Sequence, residues 1–237
     1  MTRVLLVNPN MSFEMTERLA AVARRAVSAD TEIVAITAPR GFPYISSRAE
    51  ALVAGGVALE MIAANRERAD AVVIAAYGDP GLKAARELFD LPVVGMSEAA
   101  MLTACMLGET FGVVTFTPRM TPWYRDSVAD AGLMARFAGF RTPPEALGPV
   151  AQVAQTMRET LAALARDSAL EDGADVVILG GAPLAGLAET LAADCPAVLI
   201  DPVSAAVRQA ETLARLAPGG ASRGRYARPP GKPSVGL

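Results

Sequence analysis

The chain of 237 residues contains no histidine. A Ser-His-Asp triad, a Cys-His dyad and a histidine-bearing metal site are therefore excluded. Proton chemistry near neutral pH is left to Cys, Asp, Glu, Lys, Tyr or bound water. The two cysteines, Cys105 and Cys195, stand far apart in the sequence and share no motif. Cys105 falls in a helical stretch and Cys195 just before a strand, so both read as small packing residues. No carboxylates cluster with ligand spacing, so no metal is expected. Gly180–Gly186 reads G-G-A-P-L-A-G. That is neither a dinucleotide fingerprint nor a phosphate-binding loop, so no cofactor is expected.

The residues with the best claim to chemistry sit in turns. Five predicted strands run into Asn8-Pro9, Asp79-Pro80, Thr117-Pro118, Ala182-Pro183 and Asp201-Pro202. Proline suits a first helical position, where its missing N–H would have no partner. Ser12 and Asp79 are expected to act as N-caps. Turns of this kind offer free N–H groups and helix N-termini to a carboxylate or another small anion. Asn8, Asn10, Ala76, Gly78, Thr115, Thr117, Gly180, Gly181 and Ala182 are expected to bind substrate around one cleft. Gly180 and Gly181 would let the backbone approach a ligand closely. Tyr44 and Ser46, in the loop after the second strand, are expected to cover that cleft, with Trp123 and Tyr124 walling it. Tyr77 and Asp79 are the catalytic candidates. A phenol, with its ordinary pKa of ~10, suits the role of acid or hydrogen-bond donor; a carboxylate is a base by charge.

The elements that must position these residues alternate. Predicted strands are Arg3–Val7, Glu32–Thr37, Ala71–Ala76, Val93–Gly95, Phe111–Phe116, Phe137–Arg141, Asp175–Leu179 and Ala197–Ile200. Several are continuously apolar, as strands buried on both faces are. Helical periodicity covers Phe13–Ala29, Ala49–Ala64, Leu82–Leu88, Ala99–Leu107, Trp123–Ala131, Val150–Leu170, Leu184–Ala193 and Ser204–Leu216. This alternation predicts an α/β fold with parallel sheets and right-handed crossovers.

The chain also repeats itself. Ala69–Leu82 resembles Ala174–Leu184, Leu91–Met96 matches Cys195–Ile200, and Arg3–Pro9 loosely matches Gly112–Pro118. A weaker match joins Glu32–Arg40 to Arg136–Pro144, and the order is the same in both halves. Two similar α/β lobes related by a pseudo-two-fold, with the ligand cleft between them, are expected. The first would span residues 1–105, with a possible return of the chain near the C-terminus, and the second 106–216. A tail rich in Pro, Gly and Arg, residues 217–237, would be mobile or lie along the surface.

Composition narrows the partners. With 22 basic and 25 acidic residues the net charge is −3, which argues against nucleic acid. No apolar run approaches the ~20 residues of a membrane span. The opening Met1–Pro9 is too short for a signal peptide, and two cysteines supply no disulfide framework, so a cytoplasmic protein is expected.

Four stretches carry a family resemblance: Val4–Ser12 (V-L-L-V-N-P-N-M-S), Val73–Leu82 (V-I-A-A-Y-G-D-P-G-L), Pro92–Met101 (P-V-V-G-M-S-E-A-A-M) and Ile178–Leu184 (I-L-G-G-A-P-L). Together they resemble the hydantoin/allantoin racemase branch of the Asp/Glu racemase superfamily over residues 3–216. The resemblance implies a two-lobed, cofactor-independent enzyme that forms a homo-oligomer and acts on a small anionic or cyclic-amide substrate. In the racemases two cysteines work on opposite faces of the substrate carbon, one taking a proton and one delivering it. By motif their positions fall on Ala76 and Gly181, and neither residue can carry a proton. The expected function is racemase or isomerase chemistry at the carbon next to a carbonyl, without the usual cysteine pair. A decarboxylase or other lyase step on a related acid is the alternative, with a catalytically silent metabolite-binding protein as another.

Overall fold

The structure is a computed structural model that describes residues 1–144 and 152–231. The first half runs β1 (Thr2–Asn8), α1 (Phe13–Ala26), β2 (Thr31–Thr37), α2 (Arg48–Asn65), β3 (Ala71–Ile74), α3 (Leu82–Leu88), β4 (Val93–Gly95) and α4 (Met96–Leu107). The second runs β5 (Phe111–Val114), α5 (Thr121–Asp130), β6 (Phe137–Arg141), α6 (Val153–Thr156), α7 (Arg158–Leu170), β7 (Val176–Leu179), α8 (Leu187–Leu191), β8 (Val198–Ile200) and α9 (Pro202–Leu216).

Each half contributes a four-stranded parallel sheet, in the orders β2-β1-β3-β4 and β6-β5-β7-β8. Raising every number in the first order by four reproduces the second, which is the internal repeat seen as topology. The inner strands β1, β3, β5 and β7 explain the unbroken apolar runs. Val4–Val7, Ala71–Ile74 and Val176–Leu179 are wholly inaccessible because helices cover both faces. One apolar cluster joins Leu6 and Val73 of the first sheet to Phe111, Val113 and Ile178 of the second. The last helix, α9, leaves β8 of the second sheet and packs on α1, α4, β1, β3 and β4. It is held at its start by Asp201, whose Oδ1 accepts the Ser204 N–H at 2.9 Å.

Several boundaries differ from the periodicity. Strands β3 and β5 stop at Ile74 and Val114, which leaves Ala75–Ala76 and Thr115–Phe116 in turns. Apolar turn residues extend the apparent strand because they too are buried. The stretch expected as one helix over Val150–Leu170 is α6 and α7, separated at Met157; residues 150 and 151 lie outside the described residues. The helix expected over Leu184–Ala193 is cut short because Gly186 takes φ +83° ahead of α8. Helix α4 starts at Met96 rather than Ala99. The tail lies along the first sheet's lobe: the Arg228 guanidinium donates to Leu88 O at 2.7 Å and reaches Asp90 at 2.9 Å. Residues 232–237 of the tail lie outside the described residues.

Candidate active site

The turns singled out above follow β1, β3, β5 and β7, and they lie side by side. The Ala75 N–H donates to Val7 O at 2.8 Å, and the Gly180 N–H donates to Val114 O at 2.8 Å. After β1 the chain is knitted by two asparagines. The Asn8 amide nitrogen donates to Thr16 Oγ1 at 2.9 Å and Asn10 Oδ1 at 3.0 Å, and Asn10 Oδ1 also accepts the Ser12 N–H at 2.9 Å. The Asn8 amide thus shapes the turn after β1. Ser12 caps α1 as expected, accepting the Met15 N–H.

The two halves touch through aromatic rings seated on glycines. A Cβ on Gly180 would stand 3.1 Å from Tyr77 Cζ. Gly181 has φ +133°, and a Cβ there would stand 2.9 Å from Phe116 Cε1. Gly78 has φ +103°, and a Cβ there would overlap the Trp123 ring. These glycines therefore yield space to the protein's own rings. Tyr77 meets Tyr124 edge-on with centroids 4.7 Å apart, and Tyr44 lies 6.2 Å from Phe116. Trp123 lies against Gly78 and Tyr124 against Tyr77.

Polar groups without partners gather in the same turns. The hydroxyls of Tyr44, Tyr77 and Thr115 are buried and bond to nothing in the protein. Among the described residues, the main-chain N–H groups of Ala76, Tyr77, Phe116, Thr117 and Gly181 also donate to no protein group. A buried donor left without an acceptor costs roughly 1–3 kcal/mol. Burial, and then the charge of Asp79, push the Tyr77 phenol far above its ordinary value. Burial and then Glu50 do the same to Tyr44. Both phenols are hydrogen-bond donors, not bases, at neutral pH.

Other expected residues serve the frame. Ser46 donates its N–H and its hydroxyl to Glu50 Oε2 at 2.5 and 2.9 Å. Its carbonyl accepts from Arg119 Nε of the other half at 3.3 Å. Thr117 Oγ1 accepts the Arg119 N–H at 3.4 Å, and Ala182 opens a single 3-10 turn. Asp79 does not cap α3, whose N-cap is Gly81. Its backbone at φ +49° turns the side chain toward α4 instead. There Oδ1 and Oδ2 accept the N–H groups of Ser97 and Glu98, each at 2.8 Å. Burial raises the Asp79 carboxyl to about 6 despite those bonds. Gly95, Ser97 and Phe116 were not anticipated as part of the site. The available signal was Gly95, which opens a helix without a capping side chain of its own.

A large hollow lies elsewhere. It measures about 920 Å³ and opens between α1, α4, α8 and α9, with Arg25, Leu102, Met106, Glu189 and Arg208 in its lining. Cys105 in α4 and Cys195 before β8 pack against apolar clusters, away from the turns at 76 and 181. Among the described residues, no three Asp, Glu or Cys gather as a metal site needs, and no helix is long and apolar enough to cross a membrane.

The sequence model described as Asp/Glu/Hydantoin racemase matches residues 4–210. The chain belongs to the Asp/Glu/hydantoin racemase family. A hydantoin racemase of Paenarthrobacter aurescens is 38% identical over 216 residues, covering 90% of this chain and 92% of that protein. The structure of an allantoin racemase from Klebsiella pneumoniae has 34% identity and a TM-score of 0.92, covering 100% of this chain and 97% of that one. The allantoin racemase from Pseudomonas fluorescens, at 33% identity, gives the same TM-score over 99% of this chain and 100% of that chain. The protein is thus a racemase-family isomerase of two parallel-sheet lobes.

Proposed function

We propose that the protein moves the proton on the carbon next to a carbonyl in a small carboxylate or cyclic amide of the hydantoin or allantoin type, without a thiol on either face. The reading rests on one observation: unpartnered N–H groups at Ala76, Tyr77, Phe116, Thr117 and Gly181 occupy the same turns as the unpartnered hydroxyls of Tyr77 and Thr115. Removing the α-proton puts negative charge on the carbonyl oxygen. Fixed donors aimed at that oxygen lower the barrier, each worth roughly 10²–10³ in rate. Tyr77, kept protonated by burial, donates to the developing oxyanion. With Ala76 and Gly181 at the two motif positions, a water on one face takes the proton and a second water on the opposite face delivers one to the planar enolate, so that the carbon inverts.

The test is incubation of the protein with single enantiomers of allantoin, 5-substituted hydantoins, aspartate and glutamate in D₂O. Deuterium at the α-carbon with loss of optical purity is expected for at least one of them. Deuterium in none would end the racemase reading for these substrates, and release of CO₂ would signal the lyase chemistry instead.

Self-association and a cytoplasmic setting belong to the same reading. Leu102 and Met106 of α4 are exposed beside the large hollow, whose lining also carries Arg25 and Arg208 with Glu189, and exposed apolar side chains of this kind support contact with a second copy. Sedimentation equilibrium should report a mass above 24.6 kDa, falling toward it in Met106→Asp. The two cysteines are free thiols, which suits a reducing compartment.

A further inference from the structure

We propose that Asp79 is a positioning residue, clasping the Ala76–Asp79 turn to the first turn of α4 and so aiming the main-chain donors of Ala76 and Tyr77. The inference rests on the reading that those donors meet the substrate. Helix α4 has Gly95 at its N-cap, so it has no capping side chain of its own. Asp79 supplies the cap from another segment: its two oxygens accept the Ser97 and Glu98 N–H groups at 2.8 Å each. Ser97 answers from the helix, its Oγ accepting the Gly78 N–H at 3.0 Å. Three bonds thus close a ring between turn and helix.

Two further features accompany this ring. Asp79 is the one non-glycine at positive φ among the described residues, a conformation an L-residue keeps only when its surroundings hold it. Gly95 lies so close to the carboxyl that any Cβ there would overlap it. The helix end is anchored in turn, because Glu98 makes a two-pronged ion pair with Arg86 of α3. With each oxygen bonded to a helix N–H, Asp79 on this proposal belongs to the frame that holds the turn.

Three variants test this. Asp79→Asn keeps one acceptor and sets an NH₂ against a main-chain donor. Gly95→Ala leaves the carboxylate in the chain but pushes it off the helix. Ser97→Ala removes the hydroxyl that receives the Gly78 N–H and acts on Asp79 but keeps both main-chain bonds to the carboxylate, so as the mildest variant it reports even where the others fold poorly. Amide hydrogen exchange over residues 76–79 is measured beside kcat and KM for α-deuteration. Expected is at least tenfold faster exchange in Asp79→Asn and Gly95→Ala, and a smaller change in Ser97→Ala. The kcat values should fall in the same order, with KM changing less and the residual activity keeping the wild-type pH profile. Unchanged exchange in all three overturns the clasp. So does an Asp79→Asn protein that is inactive while Gly95→Ala turns over normally, since that pattern marks a base. If the wild type labels no substrate, the functional reading fails, while the exchange data still decide the clasp.

Discussion

The Tyr77 ring lies on the α-carbon of Gly180, close enough that a Cβ at 180 would stand 3.1 Å from Cζ. Tyr77 follows β3 of one sheet and Gly180 follows β7 of the other, so this contact joins equivalent turns of the two lobes. It aligns the unpartnered phenol with the second lobe's glycine turn, and its geometry depends on the absence of one carbon atom.

Gly180→Ala should therefore loosen the junction. The new methyl would also stand 2.8 Å from Val113 Cγ1, so two packed side chains must give way. Urea unfolding should show a loss of about 1–3 kcal/mol, the usual range for overfilling a core. Val113→Ala in the same background should recover part of it. Unaltered stability in the single variant would mean that the ring and the glycine are not packed as described.

Tyr77→Phe separates stability from function. The hydroxyl is buried and has no protein partner, so its removal relieves a desolvated polar group. Stability should hold or rise by about 1 kcal/mol. Labelling of the α-carbon should fall at least ~10-fold, as when an oxyanion donor is lost. Full turnover in the variant would remove Tyr77 from the mechanism.

The two motif positions should differ in their tolerance of a thiol. Ala76 is 7% exposed with no strain in its backbone, so Ala76→Cys should fold with a stability change within about 1 kcal/mol. It should raise labelling of one enantiomer more than the other, because it adds a base on one face. Gly181 has φ +133° and Phe116 against it, so Gly181→Cys should cost roughly 2–3 kcal/mol from backbone strain and collision together. Equal melting temperatures for the two variants would contradict this.

Asp79 should leave a signature in stability against pH. Its folded carboxyl is raised from 3.8 to about 6, by burial first. Between these values the folded protein binds more protons than the unfolded chain, so this group's contribution falls as pH rises from about 4 to about 6. A shift of about two units sets an upper bound of roughly 3 kcal/mol on that loss. Glu50, lowered chiefly by the Ser46 N–H, and Asp126, lowered by Arg48, act in the opposite direction. They are common to wild type and Asp79→Asn, so the difference between the two proteins isolates Asp79. Wild-type stability should decline relative to the variant across that window in urea titrations, and a flat difference would show that the carboxyl is not raised.

The alternation of apolar runs and helical stretches was enough to establish two parallel-sheet halves, because burial on both faces demands unbroken apolar strands at 4–7, 71–74 and 176–179. That residues 76 and 181, where the family resemblance would put the two cysteines, are alanine and glycine is likewise read from the sequence alone, since a missing functional group needs no coordinates. What a side chain does with its polar atoms was decided elsewhere. Asp79 reads locally as the cap of the helix that follows it, yet it caps α4, 17 residues further on at Met96, because β4 brings that helix end alongside the turn. Asn8 reads as a ligand contact and is consumed by Asn10 and Thr16. Gly180 and Gly181 read as points of close main-chain approach, and only the fold brings Tyr77 and Phe116 against them. Periodicity records only how often a residue returns to a face, whereas hydrogen-bond partners and filled space depend on segments far apart in the chain that meet only when the two lobes close on each other.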